Sequence, residues 1–314
     1  MSNTIFTGLL QSGQDPMGQC IYNHFHNQSG KLIVHSPDFE DDLIPSETLF
    51  RNFSQMPPIE QEALNYCIKR ANDSKNKNCR QLRILDLGAG SGCHSLILSK
   101  RIPDCYIESI DISPLSVETM KERGVPNPIL ANIFDPNYTA QFDIILMLMN
   151  GSGLIGTIDN IPTFFEKLKT HLLPDGEILM DSSDLQYLYE EEDGSLLIDL
   201  NDKYYGEIEY QMEYICEPHT NANANTPSTT FASTATCDST ATCDSTATCD
   251  QAVISDSNMT NCRSTSILGK PFNWLYIDFS TLEFYSQDNN LQCTLLTEGE
   301  HYDYLAKITL TQSN

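Results

Sequence analysis

Between residues 83 and 181, short apolar runs alternate with segments whose apolar residues recur at helical spacing. The runs at 83–87, 106–111, 127–132, 142–149 and 177–181 read as strands. The first is short, as a buried parallel strand should be, and 142–149, the most apolar run in the chain, reads as a central strand. Helices are expected at 59–70, where Ala63, Leu64, Cys67 and Ile68 keep the period behind Pro57-Pro58, and at 92–101. The latter ends on Lys100 and Arg101, where the helix dipole favours cations. Further helices are expected at 113–123, stopped by Gly124, and at 161–173. Residues 72–80 read as a polar loop, and the first 45 residues as irregular structure leading into a helix. Strands alternating with helices at this spacing predict an α/β fold with a doubly wound, mostly parallel sheet.

The second half changes character. Strict alternation puts Ile208, Tyr210, Met212 and Tyr214 on one face of a strand, and 274–279 reads as its antiparallel partner, an inserted β-hairpin. A helix at 280–290 and strands at 291–297 and 304–310 close the chain. Between the hairpin strands runs a low-complexity tract, 217–270, with tandem copies of Ser-Thr-Ala-Thr-Cys-Asp at 233–238, 239–244 and 245–250. Thr, Ser, Ala and Asn cannot pack a core, so the tract reads as a disordered insertion at a hairpin tip. Cys237, Cys243 and Cys249 stand six apart, wider than the closely spaced pairs of structural zinc sites, so no metal is expected. The expected layout is an N-terminal segment 1–50, a cofactor-binding domain 51–216, the insertion 217–270 and a closing part 271–314.

A net charge of −25 on 314 residues disfavours contact with nucleic-acid phosphates, which needs clustered Lys and Arg. Eleven cysteines without a C-x-x-C pair signal neither a disulfide scaffold nor a zinc knuckle. The first residues lack a basic and apolar leader, and no apolar segment approaches spanning length, so a cytoplasmic enzyme without a membrane partner is the expectation.

The chemistry concentrates at Ile84-Leu85-Asp86-Leu87-Gly88-Ala89-Gly90-Ser91-Gly92, an apolar run leading through an acid and three alternating glycines into a helix start. Such a turn hands a nucleoside-bearing cofactor from strand end to helix N-terminus. The dinucleotide fingerprint G-x-G-x-x-G is broken, because Cys93 stands where its third glycine would fall, and a nicotinamide oxidoreductase is therefore disfavoured. Asp111 closes the next strand, 25 residues after Asp86, where a carboxylate can accept from both ribose hydroxyls.

The spacing Gly88, Gly90, Gly92 behind Asp86 resembles motif I of the class I S-adenosylmethionine-dependent methyltransferases. The resemblance spans about 45–216 and 270–310. It is strongest with a bacterial subgroup through Met149-Asn150-Gly151, Asp181-Ser182-Ser183-Asp184, the run 274–279 and the run 298–304. It implies a Rossmann-like seven-stranded sheet with an antiparallel last strand, and S-adenosylmethionine as cofactor. It implies that Asp86 orients the methionyl amino group, that Gly88, Ala89, Gly90, Gly92, Asp111 and Ile112 line the donor, and that Asn132 and Ile133 meet the adenine. Asn132 departs from the acid usual there. Met147–Gly153 then resembles the segment beside the transferred methyl, with Met149 against the donor and Asn150 orienting an acceptor. Transfer from a sulfonium is an in-line displacement, so positioning supplies much of the catalysis and a base is needed only for a protonated nucleophile. His301 and Tyr302 join Asn150 as catalytic candidates, with Asp181, Asp184 and Tyr205 shaping the pocket. The expected function is methyl transfer to a small-molecule acceptor. An aminopropyltransferase-like enzyme on the same fold, or a non-catalytic S-adenosylmethionine-binding or partner-binding protein, stands as the alternative.

Overall fold

The run 142–147 is buried at every position and lies at the centre of the molecule. A computed structural model of the chain describes residues 7–76, 80–191, 193–198, 203–217 and 266–311. The chain enters through helix α1 (Pro16–Phe25), strands β1 (Gly30–His35) and β2 (Asp42–Ile44), and helix α2 (Pro58–Asn76). An alternating series follows: β3 (Arg83–Leu87), α3 (Cys93–Arg101), β4 (Tyr106–Asp111), α4 (Pro114–Glu122), β5 (Pro128–Leu130), β6 (Phe142–Met147), α5 (Ile161–Thr170) and β7 (Leu172–Ser183). The rest comprises β8 (Glu207–Cys216), β9 (Ser266–Leu268), β10 (Phe272–Leu275), α6 (Phe279–Asp288), β11 (Leu291–Glu298) and β12 (Asp303–Leu310).

Seven strands form one sheet in the order β11-β12-β7-β6-β3-β4-β5. The five from β3 to β7 run parallel, and β12 lies antiparallel to both β7 and β11. This is a Rossmann-like, doubly wound architecture in which the last strand is reversed. Both faces are covered, which is why the central strands read as continuously apolar. On one face α2 and α3 bring Ala63, Leu64, Cys67 and Leu98 against Ile84, Ile144, Leu146 and Leu179. On the other, Phe164, Phe165 and Leu168 of α5 and Leu282 of α6 meet Leu85, Ile145, Ile178 and Ile308. Strand order reverses direction at β3 between β4 and β6, and such switch points open a crevice at the carboxyl ends of the strands.

A second, fully antiparallel sheet has the order β10-β8-β1-β2, with β9 also on β8. The expected hairpin is thus part of a larger sheet, because the first fifty residues supply β1 and β2 instead of remaining irregular. Helix α1 fills the space between this sheet and the donor end of the large one. Asp15 caps it by accepting from Gly18 N, and Pro16 occupies its first turn. Cys20 faces Leu32 and Tyr214 of the second sheet.

Several boundaries differ from the sequence reading: the helix expected over 161–173 ends at Thr170 because β7 begins at Leu172, and the strand expected over 142–149 ends at Met147, before the left-handed Met149. Helix α2 continues through Asn76 where a polar loop was expected from 72, with Ala71 still docked at 8% exposure. The strand expected over 274–279 ends at Leu275, because Asp278 caps α6 through Thr281 N at 2.9 Å. The turn Pro174-Asp175-Gly176 is a register break inside β7 instead of a loop before it. The tandem repeats at 233–250 lie outside the described residues.

Candidate active site

The glycine turn leaves β3 with Gly88, Gly90 and Gly92 all left-handed, at φ 74°, 55° and 80°. Only glycine takes such angles without strain. At Gly92 space forbids anything larger as well, since a Cβ would stand 2.5 Å from Val125. Gly88 N and Ala89 N each donate to Ile110 O at 3.0 Å, and Gly90 N donates to Asp111 Oδ2 at 2.8 Å. Ser113 N donates to Asp111 Oδ1 at 2.8 Å. The turn after β3 and the acid ending β4 are therefore one hydrogen-bonded unit. Burial pushes the Asp111 carboxyl up to about 6, against the lowering effect of these two backbone donors.

Asp86, at 3% exposure, accepts from Ser95 Oγ at 2.7 Å, and Ser95 in turn accepts from Ser109 Oγ at 2.7 Å. Beside it lies a buried charge network that sequence spacing did not announce. His94 Nε2 is 2.8 Å from Glu60 Oε2, and His94 Nδ1 is 3.9 Å from Asp86 Oδ1. Arg51 Nη2 grips both Glu60 oxygens at 2.8 and 3.0 Å. Burial pushes the imidazole down, but the Glu60 hydrogen bond and the charges of Asp86, Glu60 and Asp181 outweigh it and hold its pKa above the usual value. Glu60 and His94 sit on different helices, so no local motif could have paired them.

The N-terminal residues close over this end of the sheet. Leu10 N donates to Ile112 O at 2.9 Å, and Asn132 Nδ2 donates to Gly8 O at 3.0 Å. Asn132 Oδ1 accepts from Phe134 N at 2.9 Å, so the side chain named for adenine also braces the chain's own backbone. Ile133 is 5% exposed and belongs to the core beside α5, whereas Ile112 is half-buried. Asp15 accepts from both Gly18 N and Ser113 Oγ, tying α1 to α4. Ile21 lies over the glycine turn: a Cβ on Gly90 would meet its Cδ1 at 3.7 Å.

At the exit of β6, Met149 and Asn150 are consecutive left-handed residues, φ 68° and 55°. Asp181 holds them there by accepting from Met149 N at 3.1 Å and Gly151 N at 2.8 Å. Non-glycine residues kept in this region cost of order 1–3 kcal/mol each and cluster at working sites. Burial pushes Asp181 up to about 6 as well. Ser183 Oγ donates to Asn150 Oδ1 at 2.8 Å, and Trp274 lies flat on Gly153, where a Cβ would stand 1.8 Å from the ring. The strand ends thus bring Asp86, the glycines, Asp111, Met149 and Asn150 into one crevice. Tyr302 joins through its backbone, Asp184 N donating to Tyr302 O at 2.8 Å, and Tyr205 Oη donates to Asp184 Oδ1 at 3.0 Å. His301 is an exposed turn residue whose backbone N donates to Asp303 Oδ1, and no hydrogen bond ties its ring to Asn150 among the described residues. Among those residues no group of three or more His, Cys, Asp or Glu could hold a metal ion, and no helix is long and apolar enough to cross a membrane.

A crevice at a parallel-sheet switch point, an acid at or next to the end of each of two adjacent strands and a left-handed glycine turn between them define a class I S-adenosylmethionine-binding fold. Comparison with known proteins carries this further. Residues 85–180 match the family described as a methyltransferase domain. An S-adenosylmethionine-dependent methyltransferase from Bacteroides fragilis, solved in complex with S-adenosyl-L-homocysteine, is 40% identical over 98% of this chain and 100% of its own, with a TM-score of 0.71. The chain belongs to the class I S-adenosylmethionine-dependent methyltransferases. The sugar N-methyltransferase KedS8 from Streptoalloteichus, 12% identical over 87% of this chain and 96% of its own at TM-score 0.50, shares the fold. The release factor glutamine methyltransferase of Flavobacterium psychrophilum is 30% identical over 40% of this chain, a match spanning 56% of that protein. The chain thus matches about half the length of that curated relative.

The residues present fit S-adenosylmethionine. Buried Asp86 and half-buried Asp111 suit the donor's ammonium and ribose hydroxyls, and the glycine turn between them carries no Cβ at Gly88, Gly90 or Gly92.

Proposed function

We propose that this protein transfers a methyl group to a small-molecule acceptor in the cytoplasm. Bound S-adenosylmethionine supplies an electrophilic methyl on a sulfonium. Asp86 would face its ammonium, the turn from Gly88 to Gly92 with Asp111 and Ile112 would hold the nucleoside, and Asn132, Ile133 and Met149 would complete the donor side. Asn150, steadied by Ser183, orients the acceptor, and Asp181 fixes the backbone that carries Asn150. Positioning of this kind is what an in-line displacement needs.

The observation that carries the small-molecule reading is the cover formed by the chain itself. Helix α1, residues 8–10 and Trp274 close over the crevice, which favours a compact acceptor over a polypeptide. The charge of −25 opposes a nucleic-acid acceptor. The test is incubation with labelled donor and a cell extract, followed by ultrafiltration. Label in the filtrate, beyond the donor and its breakdown products, is the expected result. Label retained only on protein or nucleic acid would overturn the acceptor class.

A further inference from the structure

Two aromatic rings stand exposed beyond the ends of β7 and β12. Tyr187 and Tyr302 stack with centroids 4.7 Å apart and planes 11° from parallel, at 42% and 60% exposure. Tyr302 is left-handed at φ 58°, which a bulky residue adopts only under constraint. So exposed a ring draws little stabilisation from core packing to offset that strain. The pair sits one strand end from the acceptor position. Asp303 is in register with Ser183, and Ser183 Oγ donates to Asn150 Oδ1.

Along the chain, the charge beside the rings has one sign. The segments that carry them, 183–191 and 298–303, contain Asp184, Glu190, Glu191, Glu298, Glu300 and Asp303, one histidine, and neither Lys nor Arg. Half-buried Asp184 is the acid built into the site. Gln186 N and Tyr205 Oη both donate to its Oδ1, at 2.9 and 3.0 Å, and its Oδ2 accepts no hydrogen bond among the described residues. An electron-rich ring face attracts a cation, a carboxylate oxygen with spare capacity pairs with it, and a rim of acids repels anions.

We infer that the methyl acceptor is an amine, cationic in solution, carried on the Tyr187–Tyr302 pair with Asp184 as its counter-charge. This rests on the methyl-transfer reading above. The acceptor ammonium first gives a proton to water. Its nitrogen lone pair then forms the bond to the methyl carbon as the carbon–sulfur bond breaks, and sulfur keeps that electron pair as a neutral thioether. Tyr187 and Tyr302 are binding residues here, and no proton passes through them.

The test divides a small-molecule extract by cation exchange at neutral pH and offers each pool to the full-length protein with labelled donor. Label confined to the retained, cationic pool is expected. Label entering the flow-through at a comparable rate overturns the amine assignment alone, and label in neither pool, with S-adenosylhomocysteine still bound, overturns methyl transfer to a small molecule itself. Tetramethylammonium should inhibit labelling of the retained pool, and its uncharged near-isostere tert-butanol should not. Tyr302→Ala and Tyr187→Ala should each weaken that inhibition about ten-fold, with Tyr302→Phe within about three-fold of the parent. S-adenosylhomocysteine binding measured on the same variants reports that they are folded. Equal inhibition by the two probes, or alanine variants indistinguishable from the parent, overturns the role of the pair.

Discussion

His94 Nε2 lies 2.8 Å from Glu60 Oε2, two buried groups carried by different helices and joined beneath the donor acid Asp86. Removing one partner of a buried charge pair leaves the other uncompensated. Glu60→Gln should therefore cost about 3 kcal/mol in urea unfolding, against under about 1 kcal/mol for Asp38→Asn at the exposed Lys203–Asp38 pair. The pH dependence follows from the raised His94 pKa. Stability from a histidine raised in the folded state is fully present below the free imidazole value and is lost as pH rises through the folded one. The gap in urea midpoint between the parent and His94→Gln should therefore be wider near pH 6 than near pH 9. A gap independent of pH would contradict a protonated His94.

Asp111 works in the same direction over a more acidic range. Its carboxyl is raised to about 6 in the folded chain from 3.8, so its contribution to stability is present at acid pH and lost as pH rises through 6. Asp111→Asn loses an acceptor for one of the two backbone donors, but it carries no titrating group, so its melting temperature relative to the parent should rise by a few degrees between pH 4 and neutral pH. Donor affinity in the parent should fall below pH 6, where the carboxylate protonates. Thermal unfolding of the ligand-free proteins across this range checks both signs.

Gly92 and Gly124 share a left-handed backbone, φ 80° and 72°, but differ in space. A Cβ at Gly92 meets Val125 at 2.5 Å, whereas one at Gly124 meets nothing within 4 Å. Gly124→Ala should cost about 1 kcal/mol from backbone strain alone, and Gly92→Ala should cost about 2 kcal/mol or more. Equal losses in denaturant midpoint would contradict the packing assigned to the turn.

Helix α1 should respond to the donor. Ile21 lies over Gly90 and is 1% exposed, so Ile21→Ala should cost about 2–4 kcal/mol and also weaken S-adenosylhomocysteine binding several-fold. Amide exchange over 16–25 should slow when S-adenosylhomocysteine is added. Unchanged exchange would mean that α1 is a cover without contact to the site.

What could be read from the sequence was whatever is local. Strand β3 ends where its apolar run ends, because a buried parallel strand has no polar face to blur its limits. The glycine turn with Asp86 and Asp111 was legible for the same reason: both acids stand at or next to the ends of strands adjacent in sequence and in space. Helix α1 is not legible in the sequence because it is only ten residues long. Its apolar positions are interrupted by Gly18 and the buried polar Asn23, and Asp15-Pro16 is the start signal it offers. The His94–Glu60 pair was missed because it spans 34 residues and forms only when α2 packs on α3. His301 attracted notice as a titratable residue in a loop, but the turn at Asp303 leaves it exposed and makes Tyr302 the residue that meets another side chain.

Titration calorimetry of S-adenosylhomocysteine into the parent protein, Asp86→Asn and Asp111→Asn at neutral pH, with NAD as a control, tests the central claim most directly. The parent should bind S-adenosylhomocysteine and not NAD, and each variant should bind it at least about ten-fold more weakly while unfolding cooperatively. Undiminished affinity in both variants, or binding of NAD alone, would contradict the assignment of the glycine turn and its two acids to this donor.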